Sequence, residues 1–402
     1  MVNTLSIILI NKLSEKPSLS RIMIHSSSSI ESAISMLSCT KLGIFFCVIY
    51  KDLETEAINK RVSIFKPDLI LSSDQKKLSN IKFNKKKIIY FKNINLLKKF
   101  DQIKKIKDFI YESNKDFFAL FTSGSTGIPK GVVHSIGGFL FYTKYTSKTQ
   151  FGMNKNSIVL TASDAGWLNG HNYALFGPLS LGATTILLEN AMVIIDEKFL
   201  KKILSLKVTI LYLPVTLIRI MKSLFDKKSK FQTKDLSTLG SMGEHIAPSV
   251  AEWFASKFTN KNKCIVNAYY QTENGGIISS PRYTDKINKI PHGSAGRPVN
   301  KFIKINKLSS TKKREFKIRN IWPGCMKRLL NNNKMWKKYW DKDGSFRMFD
   351  LATIKKNNIY IHGRNDDVIN LRGKRIGCEE IESVILELSS IYECSVVTKE
   401  HS

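Results

Sequence analysis

Residues 121–131 read Phe-Thr-Ser-Gly-Ser-Thr-Gly-Ile-Pro-Lys-Gly. Gly124 and Gly127 let the backbone bend until several N–H groups converge on an anion. Thr122, Ser123, Ser125 and Thr126 add hydroxyl donors. Lys130 adds a point charge, and Pro129 stiffens the exit. By its chemistry the string is a phosphate cradle. It is not a loop of the GxxxxGK[ST] kind, because that spacing is absent. The plain alternative is a flexible Ser/Gly linker, but a linker would not be flanked by a hydrophobic strand and an apolar helix.

A cradle needs a rigid frame. The run 116–122 (DFFALFT) predicts a strand leading into the loop, and a helix is expected from near Ser135. Residues 21–26, 44–50 and 66–73 read as further strands, with an amphipathic helix over 29–43. Strands alternating with helices predict an α/β fold with a parallel sheet. Residues 76–112 are Lys-rich and weakly patterned, a surface excursion. Further α/β units run to about Pro281. Residues 300–360 carry short strands with turn signals at 343–344 and 357–358, a β-rich segment. Residues 364–375 read as a junction, 378–388 as a helix and 394–399 as a closing strand.

The chain of 402 residues, 43% hydrophobic, can bury a large core and is too long for one simple domain. No apolar run reaches ~18 residues, so no membrane-spanning helix is expected. The apolar patch within residues 1–13 is shorter than the ~7–15 residues of a secretory leader core, and the expected compartment is the cytoplasm. Six scattered cysteines form neither a CxxC pair nor a Cys/His cluster, which predicts reduced thiols and no zinc site. The net charge of +31 is spread along the chain and dominated by Lys. A nucleic-acid module would concentrate its charge and interleave aromatics, so biased composition is the better reading, with neither nucleic acid nor membrane as partner.

The 121–131 string resembles the phosphate-loop signature of the adenylate-forming superfamily: acyl-CoA synthetases, luciferases and peptide-synthetase adenylation domains. Segments 161–182, 209–219, 239–245, 269–276, 293–298, 322–324, 348–350 and 363–382 follow in that family's order. The resemblance runs from about Ile22 onward and is nearest to the AMP-forming acetyl-CoA and propionyl-CoA synthetases. It implies a large N-terminal adenylation domain over 1–363, with stacked α/β subdomains and a small β-rich subdomain at 300–363. A hinge region would follow at 364–375, and the start of a C-terminal α/β domain at 376–402.

The resemblance also implies roles. Thr122, Ser123, Gly124, Ser125, Thr126, Gly127 and Lys130 would hold the phosphates of ATP. Lys130, Thr126 and Glu273 would be catalytic, with Glu273 the Mg²⁺ ligand, a hard oxygen donor suited to a cation bridging phosphates. Gly243, Glu244, His245, Asn267, Ala268, Tyr269, Tyr270, Gln271 and Thr272 would line the adenine and α-phosphate side. Asn267 replaces a carboxylate typical of acetyl-CoA synthetases, and His245 stands where the family often has Pro. Asp350 would accept both ribose hydroxyls, and Arg364 and Arg375 would reach ribose or phosphate. Asp366 matches the family's hinge. Trp167, Leu168, Asn169, Met242 and Tyr270 would wall the acyl pocket. Acetate-specific members usually carry Trp at the position of Tyr270. Tyr is smaller, whereas Leu168 and Met242 exceed the usual Val, so a short acid is expected: acetate first, propionate second.

The implied reaction joins acid to AMP with loss of pyrophosphate, then transfers the acyl group to CoA, so ATP, Mg²⁺ and coenzyme A are the expected cofactors. In the family the first step relies on a lysine in a Gly-Lys-Ile-like string of the C-terminal domain, and no such string occurs here. The family's Arg-Gly-Gly contact to CoA should fall near residues 76–80, where KKLSN carries no such string and Lys76 and Lys77 would have to replace its charge. The expectation is a chain truncated at both ends that binds ATP with impaired turnover. The alternative is a non-catalytic ATP- or AMP-binding remnant, or one half of a split enzyme completed by a C-terminal chain.

Overall fold

The computed structural model describes the chain apart from residues 14–15, 95–105, 123–128, 227, 259–263, 288, 300, 366–367, 372–373, 386–390, 392–393 and 398–402, and apart from the side chains of 368–371, 374–380 and 383. Seven strands form the first sheet, in the order Arg328–Leu330, Lys130–Ser135, Asp116–Thr122, Phe45–Ile49, Arg21–His25, Leu69–Ser72 and Ile88–Tyr90. The last five run parallel, while Lys130–Ser135 is antiparallel to both its neighbours. Strands buried on both faces need apolar residues at every position, which is why 45–49 and 117–121 are continuous apolar runs. Helix Ile30–Leu42 covers this sheet. A Ser29–Ser32 capping box opens it, and Gly43 in the left-handed conformation closes it.

The second sheet is parallel throughout, in the order Val266–Asn267, Thr238–Met242, Ile210–Pro214, Ile158–Thr161 and Thr184–Ile186. A third, antiparallel sheet of Arg314–Ile318, Phe346–Lys355 and Asn358–Arg364 makes up the β-rich segment. Helix Ile136–Phe151 ties the layers together. Ile136 and Phe139 enter the core under the first sheet, and Tyr142 and Phe151 enter the core shared by the other two. A helix buried on several sides carries no single apolar stripe.

Three expectations need correcting. The Lys-rich excursion contains a strand, Ile88–Tyr90, added at the sheet edge beside Leu69–Ser72; flanking lysines are a usual guard of such an edge. The apolar patch at the start forms helix Val2–Lys12, which buries Leu5 and Leu9 in the first sheet's core. Residues 394–397 form no strand, although 395–397 alternate as a strand would. The five cysteines whose side chains are described are free thiols. Among the described residues no helix is long and apolar enough to cross a membrane.

Two of the fully buried histidines pack among the aromatic rings of the first sheet's core. His171 packs against the rings of Phe46 and Phe118, and His134 against Phe118 and Phe139. Burial pushes His134 down to about 4 and His171 down to about 3. The unfolded chain takes up these protons near pH ~6.5 and the folded chain does so only below about 4. Between those values the unfolded form binds more protons, so stability is full above pH ~6.5 and falls by about 1.4 kcal/mol per pH unit per histidine as pH drops. Thermal melting followed from pH 7 to pH 4 should show this decline beginning near pH ~6.5. A flat melting temperature across that window would contradict it.

Candidate functional site

The strands Asp116–Thr122 and Lys130–Ser135 pair to their ends, with Thr122 opposite Lys130. The glycine- and hydroxyl-rich string therefore closes a hairpin at one end of the first sheet. Ser123, Gly124, Ser125, Thr126 and Gly127 lie outside the described residues. At the hairpin's mouth Thr122 Oγ1 is buried with no hydrogen-bond partner among the described residues.

Across from the mouth stands Glu273, only 6% exposed. Lys130 Nζ lies 3.5 Å from Glu273 Oε1 and donates to Tyr339 Oη at 2.9 Å. Tyr339 donates in turn to the same Glu273 oxygen at 2.5 Å. The short 3₁₀ turn Thr272–Asn274 presents the carboxylate, capped by Gln271 and Asn274 and ended by Gly275 at φ 69°. A Cβ on Gly275 would fall 2.2 Å from the Gly324 carbonyl oxygen, so the turn accepts only glycine there. His134 Nε2 donates to the Thr272 carbonyl at 2.8 Å, and Met326 N and Trp322 Nε1 donate to the carbonyls of Glu273 and Asn274. The carboxylate thus rests on a backbone held from three sides.

Beside this corner opens a cleft of about 220 Å³. Gly243, Glu244 and His245 line it from the end of strand Thr238–Met242. Asn267, Ala268, Tyr269, Tyr270 and Gln271 line it from the segment leading into the Glu273 turn, and Asp350 and Arg364 from the third sheet. Asp350, itself 6% exposed, accepts from Tyr269 Oη and from Gln271 Nε2 at 2.8 Å, with Arg364 Nη1 3.7 Å away. A break in strand register between Asp350 and Ala352, with Phe349 at φ 57°, turns the Asp350 side chain toward the cleft. Gln271 is fixed by a second donation, to the Met348 carbonyl at 2.6 Å.

Other predicted residues are committed elsewhere. The Asn267 amide accepts from Ser241 Oγ at 3.1 Å and donates to the Ser294 carbonyl at 3.0 Å, so it braces the cleft wall. Glu244 pairs with Arg219 at 2.6 Å and accepts from Thr216 Oγ1. Burial lowers His245. Of the five acyl-pocket residues, three meet: Tyr270 Oη donates to Asn169 Oδ1 at 2.8 Å, and Asn169 Nδ2 contacts Met242 Sδ. Leu168 packs with Tyr270 in the first-sheet core. Trp167 is 57% exposed and lies edge-on to Tyr50. Arg375 sits in strand Lys374–Gly377 opposite Asn370, with its side chain outside the described residues, as is Asp366. Tyr339, Ala295 and Ile361 were not foreseen.

Residues 16–316 match the family described as AMP-binding enzyme. The acetyl-coenzyme A synthetase of Helicobacter pylori (strain G27) is 30% identical over 435 residues, covering 94% of this chain and 63% of that protein. That of Bartonella bacilliformis is 30% identical over 432 residues, covering 95% and 65%. The chain thus spans somewhat less than two thirds of the curated relatives it matches. A crystal structure of the anthranilate CoA ligase AuaEII in complex with anthranoyl-AMP superposes with a TM-score of 0.78 over 98% of this chain and 77% of that one. At 17% identity that likeness establishes the fold.

Proposed function

The chain belongs to the AMP-binding enzyme family, and from that premise we propose that it is an AMP-forming acyl-CoA ligase acting on a short carboxylic acid. The overall reaction would convert ATP, acetate and CoA to acetyl-CoA, AMP and pyrophosphate through acetyl-adenylate. The observation that carries this reading is the meeting of Lys130 and Glu273 next to a cleft ending in the Asp350 carboxylate.

Each group has work suited to its chemistry. Asp350 would accept the two ribose hydroxyls, for which two carboxylate oxygens are a natural match. Tyr269 and the backbone of 243–245 would flank the adenine. Lys130 would bind a phosphate oxygen, together with the 122–127 hydroxyls and amides. Glu273 would hold Mg²⁺, since a buried carboxylate is the hard oxygen donor this cation prefers when it is bound together with phosphates. When bound, Mg²⁺ supplies charge neutralisation across the phosphates. The acid would lie against Tyr270, Asn169 and Met242 with its carboxylate oxygen aligned on the α-phosphorus. Holding that alignment is the main contribution of a site of this kind. The bond from the α-phosphorus to pyrophosphate breaks as the acyl–AMP bond forms, and the CoA thiol later displaces AMP. We place the protein in the cytoplasm, with the adenylation fold ending near Arg364.

Acid-dependent exchange of pyrophosphate into ATP tests the proposal. Whatever exchange the chain supports should be greater with acetate and propionate than with butyrate. Tyr270→Ala should favour butyrate by about 10- to 100-fold relative to acetate, since each methylene is worth ~1–3 kcal/mol in such pockets. Exchange indifferent to added acid, in a protein that binds ATP, would refute acyl adenylation.

A further inference from the structure

Tyr339 stands between the two charges of the phosphate corner. Its hydroxyl accepts from Lys130 at 2.9 Å and donates to Glu273 at 2.5 Å, while the two charges remain 3.5 Å apart. Both charged side chains are largely buried, 12% and 8% exposed. A direct ammonium–carboxylate bond closes to ~2.7–2.9 Å, and with so little water the attraction toward that distance is strong. The hydroxyl holds the pair open.

The ring is fixed by groups other than those charges. It stacks on Phe346 at 5.4 Å and 22° and meets Phe349 edge-on at 5.3 Å. It sits at the end of helix Asn333–Lys338, where Tyr339 N donates to the Trp336 carbonyl and Arg347 N donates to the Tyr339 carbonyl. The hydroxyl's place is therefore set by packing, and the charges adjust to it.

We propose that Tyr339 is a positioning residue that keeps Lys130 from closing onto Glu273, leaving the carboxylate open to a divalent cation and the ammonium open to a phosphate oxygen. The inference rests on the reading above of Glu273 as cation ligand and Lys130 as phosphate contact. Without the hydroxyl, the lysine becomes an internal competitor of Mg²⁺ for the same oxygen. The defect would then be one of cation requirement, relieved by excess Mg²⁺.

Tyr339→Phe keeps the stacked ring and removes only the hydroxyl. ATP binding to the full chain is measured by calorimetry over a range of Mg²⁺ concentrations, with the melting temperature of the nucleotide-free protein alongside. The expected result is an unchanged melting temperature, a Mg²⁺ midpoint raised about tenfold, as for other groups that orient a metal ligand, and near-normal ATP affinity at saturating Mg²⁺. In a Lys130→Met background, which lacks the competitor, Tyr339→Phe should leave the Mg²⁺ midpoint in place. A wild-type midpoint in Tyr339→Phe, an equal loss at every Mg²⁺ concentration, or the same shift in both backgrounds would overturn the proposal. Should the wild-type chain itself bind no ATP with Mg²⁺, the functional reading fails and Tyr339's role falls with it. Should wild type bind and Tyr339→Phe match it, only the role of Tyr339 falls.

Discussion

Glu273→Gln is expected to weaken Mg²⁺-dependent ATP binding by at least ~100-fold, because loss of a group that merely orients a metal ligand already costs ~10–100-fold and this substitution removes the ligand's charge itself. The exchange is nearly isosteric, so the Thr272–Asn274 turn and its backbone bonds to His134, Met326 and Trp322 should persist. Lys130 would lose its counter-charge at 3.5 Å, while Tyr339 could still donate to the amide oxygen. A titration of ATP into the variant at several Mg²⁺ concentrations reads the effect. AMP, which lacks the bridged phosphates, should bind the variant nearly as well as it binds the parent. Equal loss for AMP and Mg²⁺·ATP would mean that Glu273 shapes the cleft and does not hold a cation.

Asp350→Ala should act on the other half of the nucleotide. Removing the carboxylate proposed to accept both ribose hydroxyls should forfeit charge-assisted hydrogen bonds worth ~1.5–3 kcal/mol, or about 10- to 100-fold in affinity for ATP and AMP alike. The same change removes one hydrogen bond each from the Tyr269 hydroxyl and from Gln271, which keeps its bond to the Met348 carbonyl. Hydrogen bonds to a charged group contribute ~1.5–3 kcal/mol, so the nucleotide-free protein should also melt earlier. A variant with lowered stability but unchanged affinity for AMP would remove Asp350 from the ribose site and leave it as a structural brace. The two variants differ in signature, since Glu273→Gln discriminates ATP from AMP and Asp350→Ala does not.

What could be read from the residues follows from how local each signal is. The strand 116–122 was legible because burial on both faces demands an unbroken apolar run. The glycine- and hydroxyl-rich string stood out by its density alone, but the strand Lys130–Ser135 between it and the helix did not, and residues 123–128 lie outside the described residues. Membership in the family rested on such strings, and the family match agrees. The network that holds Asp350 was not legible. It joins Tyr269 and Gln271 to a carboxylate about eighty positions away, through a register break that leaves no compositional mark. Tyr339 lies in a Lys-rich stretch, KMWKKYWDKDG, whose pattern suggests a solvated surface, and only the fold turns it onto Glu273. Trp167, named as a pocket wall by family resemblance alone, lies beyond the turn that follows Asp164, edge-on to Tyr50, a placement no local pattern announces. Asn267 looked like a lost nucleotide contact until Ser241 and Ser294 claimed its amide.

A nucleotide should lie in the 220 Å³ cleft with its phosphates reaching the Lys130–Glu273 corner. Calorimetric titration of ATP into the unmodified chain, with Mg²⁺ and with chelator, examines that arrangement without requiring turnover. The account predicts a single saturable site that Mg²⁺ tightens for ATP and leaves unchanged for AMP. No saturable heat under either condition, or ATP binding that ignores Mg²⁺, would contradict it.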